Sequence, residues 1–414
     1  MENTIKIKGG KTLTGEVTIS SSKNATVALL PAVVLASEVV KVFGVPDIDD
    51  VDVLVKLLNS LNIKVNVDKD AYIIDPTNIK NCDLVGDDVS KLRASYYFLG
   101  ALLGRFKHVR MKKPGGCNLG PRPIDLHLKG FQALGAKVET DGDIIEISAD
   151  ELRGDEIYLD FASVGATINI MLAAVLAKGR TIIQNAAKEP EIIDLSSLLN
   201  KMGAKIHGAG TNKITIDGVY RLKGCVHDVI PDRIEAGTYI ILASAIGEEV
   251  KINNIITLHI DSLLSKLEEI GIDFEVNTDS IIVHKRKNIK AVDVKTQTFP
   301  GFATDLQQPL TALLTMADGT SRVSETIYSE RFRHCNELNK MGANIQVGES
   351  ECIIKGPTSL IGAEVTATDL RCGASLVIAG LMAKGTTIIH DAYHIFRGYD
   401  SIVEKLKKLG ADIE

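Results

Sequence analysis

The 414-residue chain is 45% hydrophobic and 24% charged, an ordinary soluble balance with length for two or more cores, and its apolar stretches, such as 168–177, are too short to cross a bilayer. A formal net charge of −6 opposes non-specific contact with nucleic acid, so any anionic ligand needs a local cluster of arginines and lysines. The opening Met1-Glu2-Asn3 carries no signal-peptide core and the six cysteines form no C-x-x-C pair, so the expectation is a cytoplasmic protein with free thiols and no membrane insertion.

In chain order, a strand region from Thr4 to Ser20 comes first, and one pattern then recurs. Amphipathic helices end in related triplets at Leu61-Asn62-Ile63, Leu134-Gly135-Ala136, Met202-Gly203-Ala204, Ile270-Gly271-Ile272, Met341-Gly342-Ala343 and Leu409-Gly410-Ala411, at intervals of 73, 68, 68, 71 and 68 residues. The central glycine suits a left-handed helix C-cap, and a hairpin such as 136–139 with 144–147 follows. Each unit also holds a small-residue helix without a polar face, which must be buried: 25–36, 94–103, 166–177, 236–245, 309–316 and 374–383.

The sixth unit stops before its hairpin is complete, so the opening strand region is expected to complete it. That closure predicts a continuous three-unit domain, 22–230, and a discontinuous one, 1–21 plus 231–414, joined by crossings near Ser22 and Pro231 that act as a hinge.

The starts of the six apolar helices carry polar or charged residues: Ser22-Lys23-Asn24, Lys91-Leu92-Arg93, Ser163-Val164-Gly165, Pro231-Asp232-Arg233, Ala303-Thr304-Asp305 and Asp369-Leu370-Arg371. Serine and aspartate there read equally as N-caps. Lysine and arginine oppose the helix dipole, and their recurrence points to a phosphate- and carboxylate-bearing ligand in a cleft lined by helix starts.

Residues 111–123, M-K-K-P-G-G-C-N-L-G-P-R-P, read as a lid-like loop that sets Cys117 beside Lys112, Lys113 and Arg122. With Lys23-Asn24, Leu92-Arg93-Ala94-Ser95, Arg122-Pro123-Ile124-Asp125-Leu126-His127, Ser163-Val164-Gly165-Ala166-Thr167, Pro231-Asp232-Arg233-Ile234-Glu235, Thr304-Asp305, Glu330-Arg331-Phe332, Thr368-Asp369-Leu370-Arg371 and Arg397-Gly398-Tyr399, this loop resembles the UDP-N-acetylglucosamine 1-carboxyvinyltransferases along the full chain. The chain departs from the commoner pattern at Ser21-Ser22, Phe161-Ala162 and Cys372.

The resemblance implies an α/β fold of two inside-out α/β barrel domains, built from six repeated units, with the active site in the interdomain cleft. It implies transfer of the enolpyruvyl group of phosphoenolpyruvate to the 3-hydroxyl of UDP-N-acetylglucosamine, a step of peptidoglycan synthesis that serves cell shape and division, with no cofactor and no metal. Carried over residue by residue, Cys117 is the proton donor to C3, the site of a pyruvate adduct and the target of fosfomycin, and Asp305 accepts the hydroxyl proton. Lys23, Arg122 and Arg397 clamp phosphate, and Arg331 and Arg371 hold the carboxylate end. Asn24, Arg93, Pro123, Ile124, Asp125, Leu126, Ser163, Val164, Gly165, Ile327 and Asp369 contact substrate.

Two rival readings remain: a sister transferase acting on shikimate 3-phosphate, and a non-catalytic sugar-nucleotide-binding regulator. The Cys117 loop and the Pro231-Asp232-Arg233 region favour the nucleotide-sugar enzyme over the first, and the full set of acid, base and clamps opposes the second. Gly9-Gly10-Lys11-Thr12 lacks the upstream glycine of a phosphate-binding P-loop, and Gly208-Ala209-Gly210 lacks the third glycine of a dinucleotide fingerprint.

Overall fold

The computed structural model describes residues 3–114, 124–328 and 330–414. These fall into two compact units, one of residues 21–114 and 124–230, the other of 3–20 with the described part of 231–414, and each has its own apolar core.

Six helices lie at the centre of those cores. Lys23–Ala32, Tyr97–Phe106 and Val164–Ala174 belong to the first unit, and Arg233–Ile246, Thr304–Leu314 and Leu370–Met382 to the second. Every residue from Ala25 to Ala32 and from Gly165 to Ala174 is buried, as a helix with no polar face requires. Small residues let the helices approach. A Cβ on Gly100 would stand 2.4 Å from the Asn169 carbonyl oxygen, while the Gly100 N–H donates to Asn169 Oδ1 at 2.8 Å.

One start differs from the sequence expectation: residues 93–96 form a 3₁₀ turn before the α-helix begins at Tyr97. The fifth core helix begins at Thr304, within the polar start Ala303-Thr304-Asp305 read from the sequence, and Pro309 lies inside it and forgoes the bond to the Asp305 carbonyl.

The amphipathic helices are Asp49–Ser60, Asp125–Ala133, Pro190–Lys201, Asp261–Ile270, Arg333–Lys340 and Ile402–Lys408. Just beyond each, the chain turns through a left-handed residue: Asn62 (φ 63°), Gly135 (92°), Gly203 (105°), Gly271 (92°), Gly342 (93°) and Gly410 (97°). Asparagine is the non-glycine residue that best tolerates this region, and Asn62 Nδ2 also donates to the Asn78 carbonyl at 2.7 Å.

The described strands form five four-stranded sheets and one three-stranded sheet. Val40–Phe43 illustrates the plan, pairing antiparallel with Ala71–Asp75 on one side and parallel with Val226–Asp228 on the other. In the sixth sheet Thr4–Lys8 takes the hairpin place, antiparallel to Thr386–His390, with Asp412–Ile413 on its outer edge. The next strand, Leu13–Thr18, does not join it as the sequence reading expected. It runs parallel to Gly247–Asn253 in the fourth sheet. Gly9 and Gly10 make the change of sheet possible: Gly10 has φ +88°, and a Cβ on Gly9 would meet the Gly380 and Ala383 carbonyls.

Candidate active site

In the unit of residues 21–230, Ser22 Oγ accepts from the Ala25 N–H at 3.2 Å and caps the helix, which makes Lys23 its first residue. The ammonium stands against the helix dipole, and Asp50 compensates it: Oδ2 lies 2.7 Å from Lys23 Nζ, with side-chain exposures of 3% and 12%. Asp50 in turn sits in the first turn of its own helix, where an anion is favoured. Asn24 follows, half-buried.

The 3₁₀ turn of Arg93 packs against the Lys23 helix, and the Arg93 guanidinium carbon lies 5.6 Å from the Tyr96 ring centroid. Tyr96 meets the His127 ring edge-on at 4.9 Å. Burial, helped by Arg93, pushes the His127 pKa down to about 3, so the imidazole is neutral. Asn169 uses Oδ1 to accept from Gly100 and therefore donates through Nδ2 to His127 Nδ1 at 2.9 Å, which leaves the ring proton on Nε2. Ser163 caps the next core helix through the Ala166 N–H, and Val164 and Gly165 follow it. A Cβ on Gly165 would lie 2.7 Å from the Tyr96 hydroxyl and 2.9 Å from His127 Cε1, so this helix start and the two rings fit only with glycine. Ile124, Asp125 and Leu126 open the helix that bears His127. Cys117, Arg122 and Pro123 lie outside the described residues.

In the other unit Asp305, second residue of its helix, is held by two arginines. Oδ1 accepts from Arg331 Nη2 at 2.7 Å and Oδ2 from Arg371 Nη2 at 3.0 Å. The arginine side chains are 3% and 4% exposed, and that of Asp305 24%. Burial raises the Asp305 carboxyl, but Arg371 and Arg331 outweigh it and hold the group far below the usual carboxylate range. Arg371 lies over the Tyr399 ring at 5.4 Å, and the Tyr399 hydroxyl bonds Thr238 Oγ1 at 2.9 Å, so the first turns of the Thr304 and Leu370 helices are linked to the second turn of the Arg233 helix. Asp369 caps the Arg371 helix, accepting from the Arg371 and Cys372 N–H groups at 2.9 and 3.1 Å. Burial pushes the Cys372 thiol up to about 12, which keeps it protonated and inert. Arg397 is half-buried after the short helix Tyr393–Phe396, close enough that, after burial, its charge lowers the His394 pKa.

The structure therefore brings Asp305, Arg331, Asp369 and Arg371 into one cluster and Arg93 and Ser163–Gly165 into another, with Ile327 on the turn that leads to Arg331. Sequence reasoning passed over Asp50, Tyr96 and Glu325. Asp50 belongs to an acidic first turn that reads as a dipole partner, and Glu325 stands at a strand end that reads as surface. Among the described residues no helix is long and apolar enough to cross a membrane.

Comparison with known proteins gives a consistent assignment. A family profile for EPSP synthase (3-phosphoshikimate 1-carboxyvinyltransferase) matches residues 7–406. The chain is 56% identical over 409 residues to UDP-N-acetylglucosamine 1-carboxyvinyltransferase 2 of Geobacillus kaustophilus, covering 99% of this chain and 96% of that one. It is 54% identical over 413 residues to the protein of that name from Listeria monocytogenes, covering 100% and 98%. The enolpyruvyl transferase NikO from Streptomyces tendae superposes with a TM-score of 0.92 at 26% identity, covering 99% of this chain and 98% of NikO. EPSP synthase from Acinetobacter baumannii superposes at 0.76 with 18% identity, covering 99% of both chains, a likeness of fold alone. The fold is thus that of the enolpyruvyl transferases. Within that class, the chain belongs to the family of UDP-N-acetylglucosamine 1-carboxyvinyltransferases.

Proposed function

We propose that this chain transfers the enolpyruvyl group of phosphoenolpyruvate to the 3-hydroxyl of UDP-N-acetylglucosamine and releases phosphate, the committing step of peptidoglycan precursor synthesis, in the cytoplasm. The observation that carries the reading is the pair of buried guanidiniums sharing the Asp305 carboxylate: Arg371, which like Asp305 is the second residue of a core helix, and Arg331, just before the helix Arg333–Lys340. Two forks converging on one carboxylate suit a second, substrate carboxylate. In this reading the continuous domain, 22–230, contributes Cys117, Lys23, Arg122 and the nucleotide-sugar contacts, and the discontinuous domain, 1–21 plus 231–414, contributes Asp305, Arg331, Arg371 and Arg397.

The sugar hydroxyl oxygen bonds C2 of phosphoenolpyruvate, its proton passes to Asp305, and Cys117 protonates C3. The tetrahedral intermediate then loses phosphate as C3 gives up a proton, which restores the double bond. An aspartate with both oxygens on arginines is a weak base. When the substrate carboxylate takes up part of the hydrogen bonding of Arg331 and Arg371, the proton affinity of Asp305 rises, so the base is armed by the substrate it serves. Phosphate release from phosphoenolpyruvate tests the reading: it should depend on UDP-N-acetylglucosamine, and release with shikimate 3-phosphate alone would overturn it.

A further inference from the structure

Glu325 has no role in the chemistry above, yet it is the most heavily bonded carboxylate beside the Asp305 cluster. It is 3% exposed and follows the strand Gly319–Ser324. Oε1 accepts from the Thr296 hydroxyl at 2.8 Å, the Ile327 N–H at 2.8 Å and the Tyr328 N–H at 3.2 Å. Oε2 accepts from the Thr304 hydroxyl at 2.8 Å.

The Thr304 bond matters because a hydroxyl has one proton and two lone pairs. With its proton committed to Glu325, Thr304 Oγ1 presents lone-pair density to Arg331 Nη1, which donates to it at 2.9 Å. Arg331 Nη2 meanwhile donates to Asp305 at 2.7 Å, and the Tyr328 ring lies 5.3 Å from the guanidinium carbon. We infer that Glu325 is a positioning residue for the anion site: it aligns Thr304 and the Ile327–Tyr328 turn so that Arg331 is gripped at one nitrogen by Thr304 and on its face by Tyr328, with the second nitrogen aimed at the site. Without an acceptor at Oε2, the Thr304 proton is free to turn toward Arg331 and compete with its donor.

The inference rests on the proposed function for its kinetic consequence, but Arg331 itself can be read without turnover. The experiment treats the full-length protein with phenylglyoxal and maps the rates at Arg331 and Arg371 by mass spectrometry, alongside the KM for phosphoenolpyruvate and thermal unfolding. Thr304→Val cuts the relay while sparing the Glu325 turn. It should raise labelling of Arg331 and the KM each about tenfold, the effect of one lost bond to a charged group, with kcat falling less and labelling of Arg371 unchanged. Thr304→Ser should restore the slow Arg331 rate. Glu325→Gln, whose amide nitrogen would face Thr304 and reverse that bond, should speed labelling at Arg331 as well. Wild-type labelling of Arg331 in Thr304→Val would overturn the inference, and so would equal acceleration at both arginines with a lowered melting temperature. A wild-type enzyme that turns over neither acceptor would refute the proposed function instead, and the labelling rates would still decide the role of Glu325.

Discussion

Replacing Asp305 with Asn separates binding from chemistry in opposite directions. Asn keeps one carbonyl for either arginine but removes the charge shared by two guanidiniums that are 3% and 4% exposed. Breaking a buried ion pair costs roughly 3–5 kcal/mol, and the retained acceptor and partial solvent access of Asp305 bring the expected loss to about 3 kcal/mol. That is tolerable against a total of about 5–15 kcal/mol, so the variant should fold. The pH dependence has a definite sign. Asp305 is depressed far below its unfolded value, so its stabilisation is complete above the ordinary aspartate range and is lost as pH falls through about 4 and lower. Urea unfolding at pH 7 and pH 4 should therefore show a smaller gap between wild type and variant at the acid end. With the competing carboxylate gone, the two arginines should bind phosphoenolpyruvate at least as tightly, while loss of the base should lower kcat about 10²–10⁴-fold. The assay is steady-state phosphate release with a phosphoenolpyruvate titration by calorimetry. A variant with wild-type kcat, or with substrate binding weakened as much as turnover, would refute the reasoning.

Asp50→Asn removes the 2.7 Å ion pair to Lys23 and should cost about 2–3 kcal/mol in chemical denaturation while weakening phosphoenolpyruvate use; unchanged values for both would count against Asp50 as the support of Lys23. Gly165→Ala sets a methyl 2.7 Å from the Tyr96 hydroxyl, so the KM for the nucleotide sugar should rise about tenfold with that for phosphoenolpyruvate unaffected, as kinetics with each substrate varied in turn will test. Fosfomycin should give a single adduct that peptide mapping places on Cys117, the position that the family resemblance marks as the drug's target; Cys335, Cys352 and Cys372 are buried, and an adduct on the exposed Cys82 with Cys117 untouched would refute the assignment, while Cys117→Asp should keep measurable turnover and resist the drug.

Those features of the fold that depend on local chemistry are readable in the sequence. Helices made of Ala, Leu, Ile and Val on every side can only be buried, and the six triplets end on the one backbone conformation that demands Gly or Asn, which Asn62 meets as the glycines do. What depends on distant partners is not. Nothing near Leu13–Thr18 says that it will lie beside Gly247–Asn253. The same division holds in the site. Lys23, at a helix start, and Arg331, in the Glu330-Arg331-Phe332 motif, stand out in the sequence, but the groups that hold them come from elsewhere: Asp50 from another helix for Lys23, and Glu325 through Thr304 for Arg331. The N-cap reading holds at four of these starts, since Ser22, Ser163, Asp232 and Asp369 each accept from a backbone N–H of their helix.

The central claim is that one enzyme joins phosphoenolpyruvate to a nucleotide sugar, and it is tested most directly by following the carbon. Phosphoenolpyruvate labelled with ¹³C at C2 is incubated with the protein, UDP-N-acetylglucosamine and shikimate 3-phosphate together, and the products are identified by mass spectrometry and NMR. The account predicts the label in a vinyl ether on the 3-oxygen of the nucleotide sugar, with one phosphate released per label transferred. Label found on shikimate 3-phosphate, or left in phosphoenolpyruvate while the nucleotide sugar stays unchanged, would contradict it.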